Sequence, residues 1–241
     1  MIAHDSTEEK LFAKASDAVL ARAFRELGLK ASVITERADT ADVVIESVYH
    51  GYTMVADAKA FRLSRTAKNQ KDFKVVALSG WRKNADYAVL CAPYFHYPAN
   101  QSQIYSQSIE YNVCLLSWEH LIFLLSQGIR ETIDINLVDL WSFGESYKQV
   151  VTVADQKKCY LQKYNKYIAE RLDVPENEIM DVLEKQVKKL SARAVREMMY
   201  WELVRSDISS YTQEQAVREL ISSLKINEKI TQIEKWRLFD D

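Results

Sequence analysis

Asp57 and Lys59 are separated by one residue at the end of an apolar run, and a basic stretch follows them along the chain. Side chains alternate between the two faces of a strand, so Asp57 and Lys59 project to the same side, roughly 7 Å apart along the backbone. A carboxylate oxygen is a ligand that suits Mg²⁺, and a lysine beside it can orient or deprotonate a water for attack on a phosphate. The pair therefore predicts metal-dependent phosphodiester hydrolysis.

Asp42 is the third residue of this predicted site. It begins the first of two short strand-like runs, residues 41–47 and 52–60. If the two strands pair antiparallel, Asp42 and Asp57 meet, since a hairpin brings its outer ends together. Two carboxylates that repel each other are held ionised by a divalent cation. The alternative is an exposed strand start at Asp42 and a solvated strand end at Lys59, because short acid and lysine patterns recur by chance.

The basic stretch is the second feature that favours a nuclease. Residues 59–74 contain six basic side chains and one acid, although the whole chain has a formal net charge of −2. Such an island would steer a polyanion, whereas the alternative is an ordinary solvated face. Asn69 and Gln70 carry amides of the type that read adenine, while lysine and arginine read guanine. The basic positions after Lys59 are Arg62, Arg65, Lys68, Lys71 and Lys74.

The pattern around these residues predicts an α/β fold. Residues 6–28 have the capping signals and the period of an amphipathic helix. Residues 86–95 and 112–118 are apolar runs of buried-strand length, and a short helix is expected between them at 101–108. This order of elements predicts a mixed central sheet flanked by helices. The apolar stripe of the first helix is predicted to comprise Leu11, Ala15, Ala18, Val19, Ala23 and Leu27.

The sequence becomes charged and helix-favouring from about residue 150. A long helix is predicted from Pro175 through Arg205, with shorter helices at 212–224 and 227–237. We therefore predict two domains. Residues 1–150 would form a nuclease core with its DNA-reading segment, and residues 151–241 a helical region that packs on the core or forms the dimer or DNA clamp.

Composition limits the other classes of protein. The chain has 241 residues, of which 48% are hydrophobic and 27% charged, as in an ordinary globular protein. No run approaches eighteen apolar residues and the N-terminus lacks a signal-peptide core, so neither membrane spanning nor secretion is expected, and a cytoplasmic location is predicted. The three cysteines are far apart, without the spacing of a zinc ribbon or a disulfide framework.

Three segments of the sequence resemble the HindIII type II restriction endonucleases, which belong to the PD-(D/E)XK nucleases. These are residues 8–24 (EEKLFAKASDAVLARAF), residues 55–95 (VADAKAFRLSRTAKNQKDFKVVALSGWRKNADYAVLCAPYF) and residues 117–121 (SWEHL). The resemblance is dense over about residues 6–125 and thins toward the C-terminus. It implies a restriction-endonuclease-like core in a homodimer that uses Mg²⁺ to cut both strands of double-stranded DNA, at AAGCTT after the first adenine.

The resemblance also implies roles for single residues of the cleavage site. Asp42 and Asp57 would be the metal-binding acids, with the Ala58 carbonyl as a further ligand, and Lys59 would position the attacking water. Asp72 corresponds to another acid associated with the active site.

Further roles concern a nearby acid and the DNA. Glu36 lies where the family has an additional acid. Asn69 and Lys71 match positions implicated in base contacts to adenine and guanine, respectively. A second hypothesis is a catalytically inactive, sequence-specific DNA-binding protein of the same family, which predicts binding of AAGCTT duplex without cleavage at any divalent metal.

Overall fold

The computed structural model describes residues 7–35, 40–60, 63, 70–98, 102–150 and 159–237. Its centre is a five-stranded mixed sheet flanked by helices, which confirms the predicted α/β class. The strands are β1 (Lys30–Val33), β2 (Val43–Glu46), β3 (Thr53–Ala58), β4 (Tyr87–Ala92) and β5 (Val113–Ser117). The helices are α1 (Thr7–Glu26), α2 (Gln70–Phe73), α3 (Val75–Trp81), α4 (Gln103–Glu110), α5 (Trp118–Ser126), α6 (Val138–Trp141), α7 (Phe143–Val150), α8 (Tyr160–Leu172), α9 (Glu176–Ser209), α10 (Gln213–Ser223) and α11 (Ile226–Arg237), with a 3₁₀ turn at Tyr94–His96.

The strands lie in chain order, and the pairing changes direction at β3. β1, β2 and β3 pair antiparallel, whereas β3, β4 and β5 pair parallel. Helices α2 and α3 lie between β3 and β4 in the chain, and α4 lies between β4 and β5, as parallel pairing requires a crossover. The carboxyl ends of these three parallel strands therefore meet at one edge of the sheet.

The core lies around β3, β4 and β5 and on the inner side of α1. β4 and β5 have almost entirely buried side chains, as expected for strands covered on both faces. Helix α1 packs on the sheet through Leu20, Ala21, Phe24 and Leu27. The stripe predicted for this helix is wrong at its first four positions, Leu11, Ala15, Ala18 and Val19, which are exposed, and right at Ala23 and Leu27. Alanines and aliphatic residues occur on several sides of α1, so the periodicity alone did not single out the buried side.

A buried carboxylate joins the far end of the β2–β3 hairpin to the segment after α5. Glu131 is 1% exposed and accepts hydrogen bonds from the Ser47 hydroxyl at 2.5 Å, from the Tyr52 hydroxyl, and from the Leu137 backbone N–H at 3.2 Å. The indole N–H of Trp141 in turn donates to the Tyr52 oxygen at 3.1 Å. This network fixes the hairpin turn, which lies at the end of β2 and β3 opposite to Asp42 and Asp57.

The chain divides into two compact units, residues up to Gln186 and residues from Val187 onward. The first unit contains the sheet. The second contains most of α9 together with α10 and α11, and α10 begins with a capping box formed by Thr212 and Gln215. The domain boundary predicted near residue 150 adjoins residues 151–158, which lie outside the described part of the chain, and it stays a prediction. Among the described residues, no helix is both long and apolar enough to cross a membrane.

Candidate active site

The antiparallel pairing of β2 and β3 brings Asp42 beside Asp57. Val43 pairs with Ala56, so Asp42 precedes β2 directly opposite the end of β3. The backbone N–H of Asp42 donates to the Ala56 carbonyl at 3.0 Å. The backbone N–H of Ala58 donates to the Asp42 carboxylate at 2.8 Å. The carboxylate of Asp42 is therefore held against the backbone on which Asp57 lies, as the hairpin argument predicts.

Asp57 and Lys59 form an ion pair on one face of the strand end. Lys59 Nζ contacts Asp57 Oδ2, and both side chains are largely shielded from solvent, with Asp57 only 3% exposed. Apart from this ion pair, Asp57 Oδ2 has no hydrogen-bond partner among the described residues. The predicted sharing of one face by the acid and the lysine is confirmed, while their catalytic roles stay predictions.

The environment of Asp57 disfavours its ionised form. Burial raises the pKa of Asp57 to about 6; Lys59 opposes this shift and the neighbouring Asp42 adds to it. A second cation at this point would offset the repulsion between the two carboxylates, because opposite charge within a few ångströms favours ionisation. The charge of Lys59 alone therefore does not offset the burial of Asp57 and its repulsion from Asp42.

The donor set fits a magnesium ion. Among the described residues, no group of three or more His, Cys, Asp or Glu side chains is arranged to hold a metal. Mg²⁺ does not need such a group, since it usually keeps several waters and is bound through one or two carboxylates plus substrate phosphates. Asp42 and Asp57, with the carbonyl of Ala58, are hard oxygen donors of the type that Mg²⁺ prefers.

Asp17 is a site neighbour that the sequence pattern did not reveal. It lies on α1, and burial raises its pKa to about 7, with Asp42 and then Asp57 contributing and Lys59 opposing. These interactions put a third carboxyl group within electrostatic reach of the cluster. Asp17 stands one turn before Leu20 and Ala21 on the side of α1 that faces the sheet. Because the periodicity of α1 does not single out its buried side, the sequence carries no signal that identifies Asp17.

Trp118 is a second unpredicted neighbour of the site. Its indole N–H, at the start of α5, donates to the Lys59 carbonyl at 3.0 Å. The backbone N–H of Lys59 donates to the Cys91 carbonyl of β4 at 2.7 Å. Both backbone groups of Lys59 are thus fixed by residues distant in sequence.

Only part of the predicted DNA-reading segment lies in the described part of the chain. Helix α2 carries Lys71 and the half-buried Asp72, and its last residue, Phe73, is fully buried and stacks on Tyr97 with ring centroids 5.4 Å apart. Tyr97 donates through its hydroxyl to the carbonyl of Leu90, the β4 residue paired with Asp57. Helix α2 is therefore anchored near the end of β3 that carries Asp57. The remaining predicted residues, Glu36, Arg62, Arg65, Lys68 and Asn69, lie outside the described residues and stay predictions, as do the roles of Lys71 and Asp72.

The raised pKa of Asp57 predicts a pH-dependent effect on stability. Because Asp57 binds its proton more tightly in the folded state, the protein loses folding stability as the pH rises from 3.8, the pKa of the group in the unfolded chain, through about 6, its pKa in the folded protein. The Asp57→Asn variant has no charge to bury. Without metal, its melting temperature is therefore expected to exceed that of the wild type by on the order of 5 °C at pH 8, and to equal that of the wild type at pH 4. Calorimetry in EDTA at both pH values measures this difference. An equal difference at pH 4 and pH 8 would contradict the assignment.

Comparisons with known proteins agree with the geometry. The family model described as HindIII restriction endonuclease matches residues 1–236 of the chain. The type II restriction enzyme HindIII of Haemophilus influenzae (strain ATCC 51907 / DSM 11121 / KW20 / Rd) is 41% identical over 231 residues, which cover 96% of this chain and 77% of that enzyme. The matched range includes Asp42, Asp57 and Lys59.

Proposed function

Because this chain belongs to the HindIII restriction endonuclease family, we propose that it is an Mg²⁺-dependent enzyme that hydrolyses both strands of double-stranded DNA at a short palindrome, AAGCTT, and leaves 5′-phosphates. Membership of the family makes the chain a type II site-specific deoxyribonuclease. The observation that carries the proposed chemistry is the convergence of Asp42, Asp57 and Lys59 at the paired ends of β2 and β3.

The proposed reaction is attack of water on a phosphodiester. The bond from phosphorus to the 3′ oxygen breaks, the 3′ oxygen takes up a proton, and the phosphate stays on the 5′ end. Lys59 orients the attacking water through its ammonium group, which Asp57 holds in place. Asp42, Asp57 and the Ala58 carbonyl would hold the metal ion, which when bound acts as a Lewis acid on the phosphate.

We assign the DNA contacts to the segment that follows Lys59. Arg62, Arg65 and Lys68 would neutralise phosphates, and each such contact steepens the dependence of log affinity on log salt by about 0.9. Asn69 and Lys71 would contact adenine and guanine in the major groove, where amides and lysines pair with those bases.

A homodimer is part of the proposal. A two-fold symmetric protein presents one identical cluster to each half of a palindrome, so that both strands are cut. The helical region after residue 150 is a candidate for the dimer contact or for a clamp on DNA.

The site and metal dependence can be tested with two plasmids. One carries a single AAGCTT and the other is identical except for one changed base in that sequence. We expect Mg²⁺ to give a linear product from the first plasmid only, and EDTA to prevent it. Sequencing and ligating the ends then identify the cut position and the 5′-phosphate. Cutting of both plasmids alike would contradict the proposed site. Specific retention of the AAGCTT plasmid without cleavage in any divalent metal would favour the inactive DNA-binding hypothesis instead.

A further inference from the structure

The start of α5 forms a rigid corner directly after β5. Ser117 accepts a hydrogen bond from the His120 backbone N–H at 3.0 Å, and the His120 ring accepts one from the Ser117 backbone N–H at 3.1 Å, which completes a capping box. His120 is fully buried, and its other ring nitrogen lies 2.7 Å from the Asn165 side-chain oxygen on α8. Burial lowers the pKa of His120 to about 4, so the ring is neutral at ordinary pH.

The same corner is also tied to the turn after β4. Glu119 accepts a hydrogen bond from the Tyr94 backbone N–H at 2.8 Å, and the Asn165 side-chain amide donates to the Tyr94 hydroxyl at 3.1 Å. Trp118 lies between Ser117, which pairs with Ala92 of β4 as the last residue of β5, and Glu119, which is bonded to Tyr94. Its half-buried ring packs against the core. The indole N–H is consequently presented from a fixed point.

The recipient of this N–H is the carbonyl of Lys59, just beyond the last residue of β3. The backbone N–H of Lys59 donates the last hydrogen bond from this strand to β4, at the Cys91 carbonyl. The carbonyl of Lys59 accepts a hydrogen bond from the Trp118 indole N–H at 3.0 Å. With both backbone groups of Lys59 held, the direction in which its side chain leaves the backbone is set. That direction carries the ammonium group to Asp57.

We propose that Trp118 is a positioning residue for Lys59, which by fixing the Lys59 carbonyl holds the lysine ammonium in the place where it orients the attacking water. The proposal rests on the proposed nuclease function. Trp118 acts through the Lys59 backbone. It belongs to the SWEHL segment, residues 117–121, none of which is a member of the cluster of Asp42, Asp57 and Lys59.

The test compares Trp118→Phe with Trp81→Phe. Trp81 on α3 is also half-buried and packed against the core, but its ring lies under Lys74 instead of beside the site. We expect Trp118→Phe to lower the cleavage rate under saturating DNA and Mg²⁺ by about 10- to 100-fold, because a small misplacement of a catalytic group has effects of this size. Affinity for AAGCTT duplex in EDTA should stay within about threefold, and Trp81→Phe should cut at the wild-type rate.

A second measurement separates positioning from packing. Replacing Trp118 with 3-benzothienylalanine nearly keeps the ring shape and puts sulfur, which donates no hydrogen bond, in place of the N–H, so it decides the question even where Trp118→Phe fails to fold. We expect this protein to lose cleavage as Trp118→Phe does, with Lys59 reacting faster than in the wild type with an amine-reactive label, as read by mass spectrometry. Wild-type cleavage and labelling rates in the isosteric protein would overturn the role of Trp118. Failure of the wild type to cut AAGCTT would instead overturn the proposed function.

Discussion

Asp57→Ala is expected to reduce the rate of DNA cleavage by roughly 10³-fold or more while leaving the protein folded. The carboxylate is the buried member of the cluster, and it both meets Lys59 Nζ and stands beside Asp42. Its removal would take away one of the two proposed acidic metal ligands and the ion-pair partner of the lysine, and the loss of one group that stabilises developing charge already costs about 10²- to 10³-fold. Single-turnover cleavage of AAGCTT duplex in Mg²⁺ measures the rate.

The matched control for this variant is Asp139→Asn. Asp139 also forms an ion pair, with Arg171 at 3.1 Å, but both side chains are 48% exposed and such pairs contribute little. The control should cut at the wild-type rate. Added Mg²⁺ should raise the melting temperature of the wild type and the control but not of Asp57→Ala, since a ligand stabilises only the state that binds it. Cleavage by Asp57→Ala at the control rate would remove Asp57 from the mechanism.

Glu131→Ala is expected to lower the free energy of unfolding by about 3–5 kcal/mol, a large fraction of the stability of an ordinary domain. The substitution would leave the hydroxyls of Ser47 and Tyr52 and the backbone N–H of Leu137 without their acceptor, in a site that is closed to water. Urea denaturation monitored by circular dichroism measures the change.

Two further variants show whether the network causes this loss. Glu131→Gln keeps one acceptor oxygen and the side-chain volume, so it should fall between the wild type and Glu131→Ala. Glu46→Ala removes a carboxylate from the same hairpin, but one that is exposed and paired only loosely with Lys30, at 3.8 Å. It should change stability by less than about 1 kcal/mol. Equal losses in Glu131→Ala and Glu46→Ala would contradict a specific role for the buried carboxylate.

The cluster of Asp42, Asp57 and Lys59 was predictable because it depends on local rules. Strand alternation puts Asp57 and Lys59 on one face, and a hairpin brings Asp42 to the end where Asp57 lies, so three residues within eighteen positions define the geometry. The buried strands β4 and β5 were equally recognisable as continuous apolar runs. These predictions needed no knowledge of how distant parts of the chain pack.

The features that were not predicted depend on tertiary contacts. β1 is a four-residue edge strand with three exposed positions, so it lacks a burial pattern. Asp17 reaches the site only because α1 packs across β2 and β3. Trp118 meets Lys59 across 59 residues of sequence, and a single indole N–H that binds a backbone carbonyl leaves no periodic signal.

The segment that follows β3 is attached at both of its ends. Lys59 is held by Trp118 and Cys91, and Phe73 is held by Tyr97, so residues 60–72 begin and end at fixed points of one scaffold. Residues 60–71 of this segment can be replaced while both attachment points, the paired carboxylates and Asp72 are kept. Under the proposed function, which assigns the DNA contacts to this segment, libraries confined to these twelve positions would be a rational starting point for redirecting the enzyme to new DNA sequences.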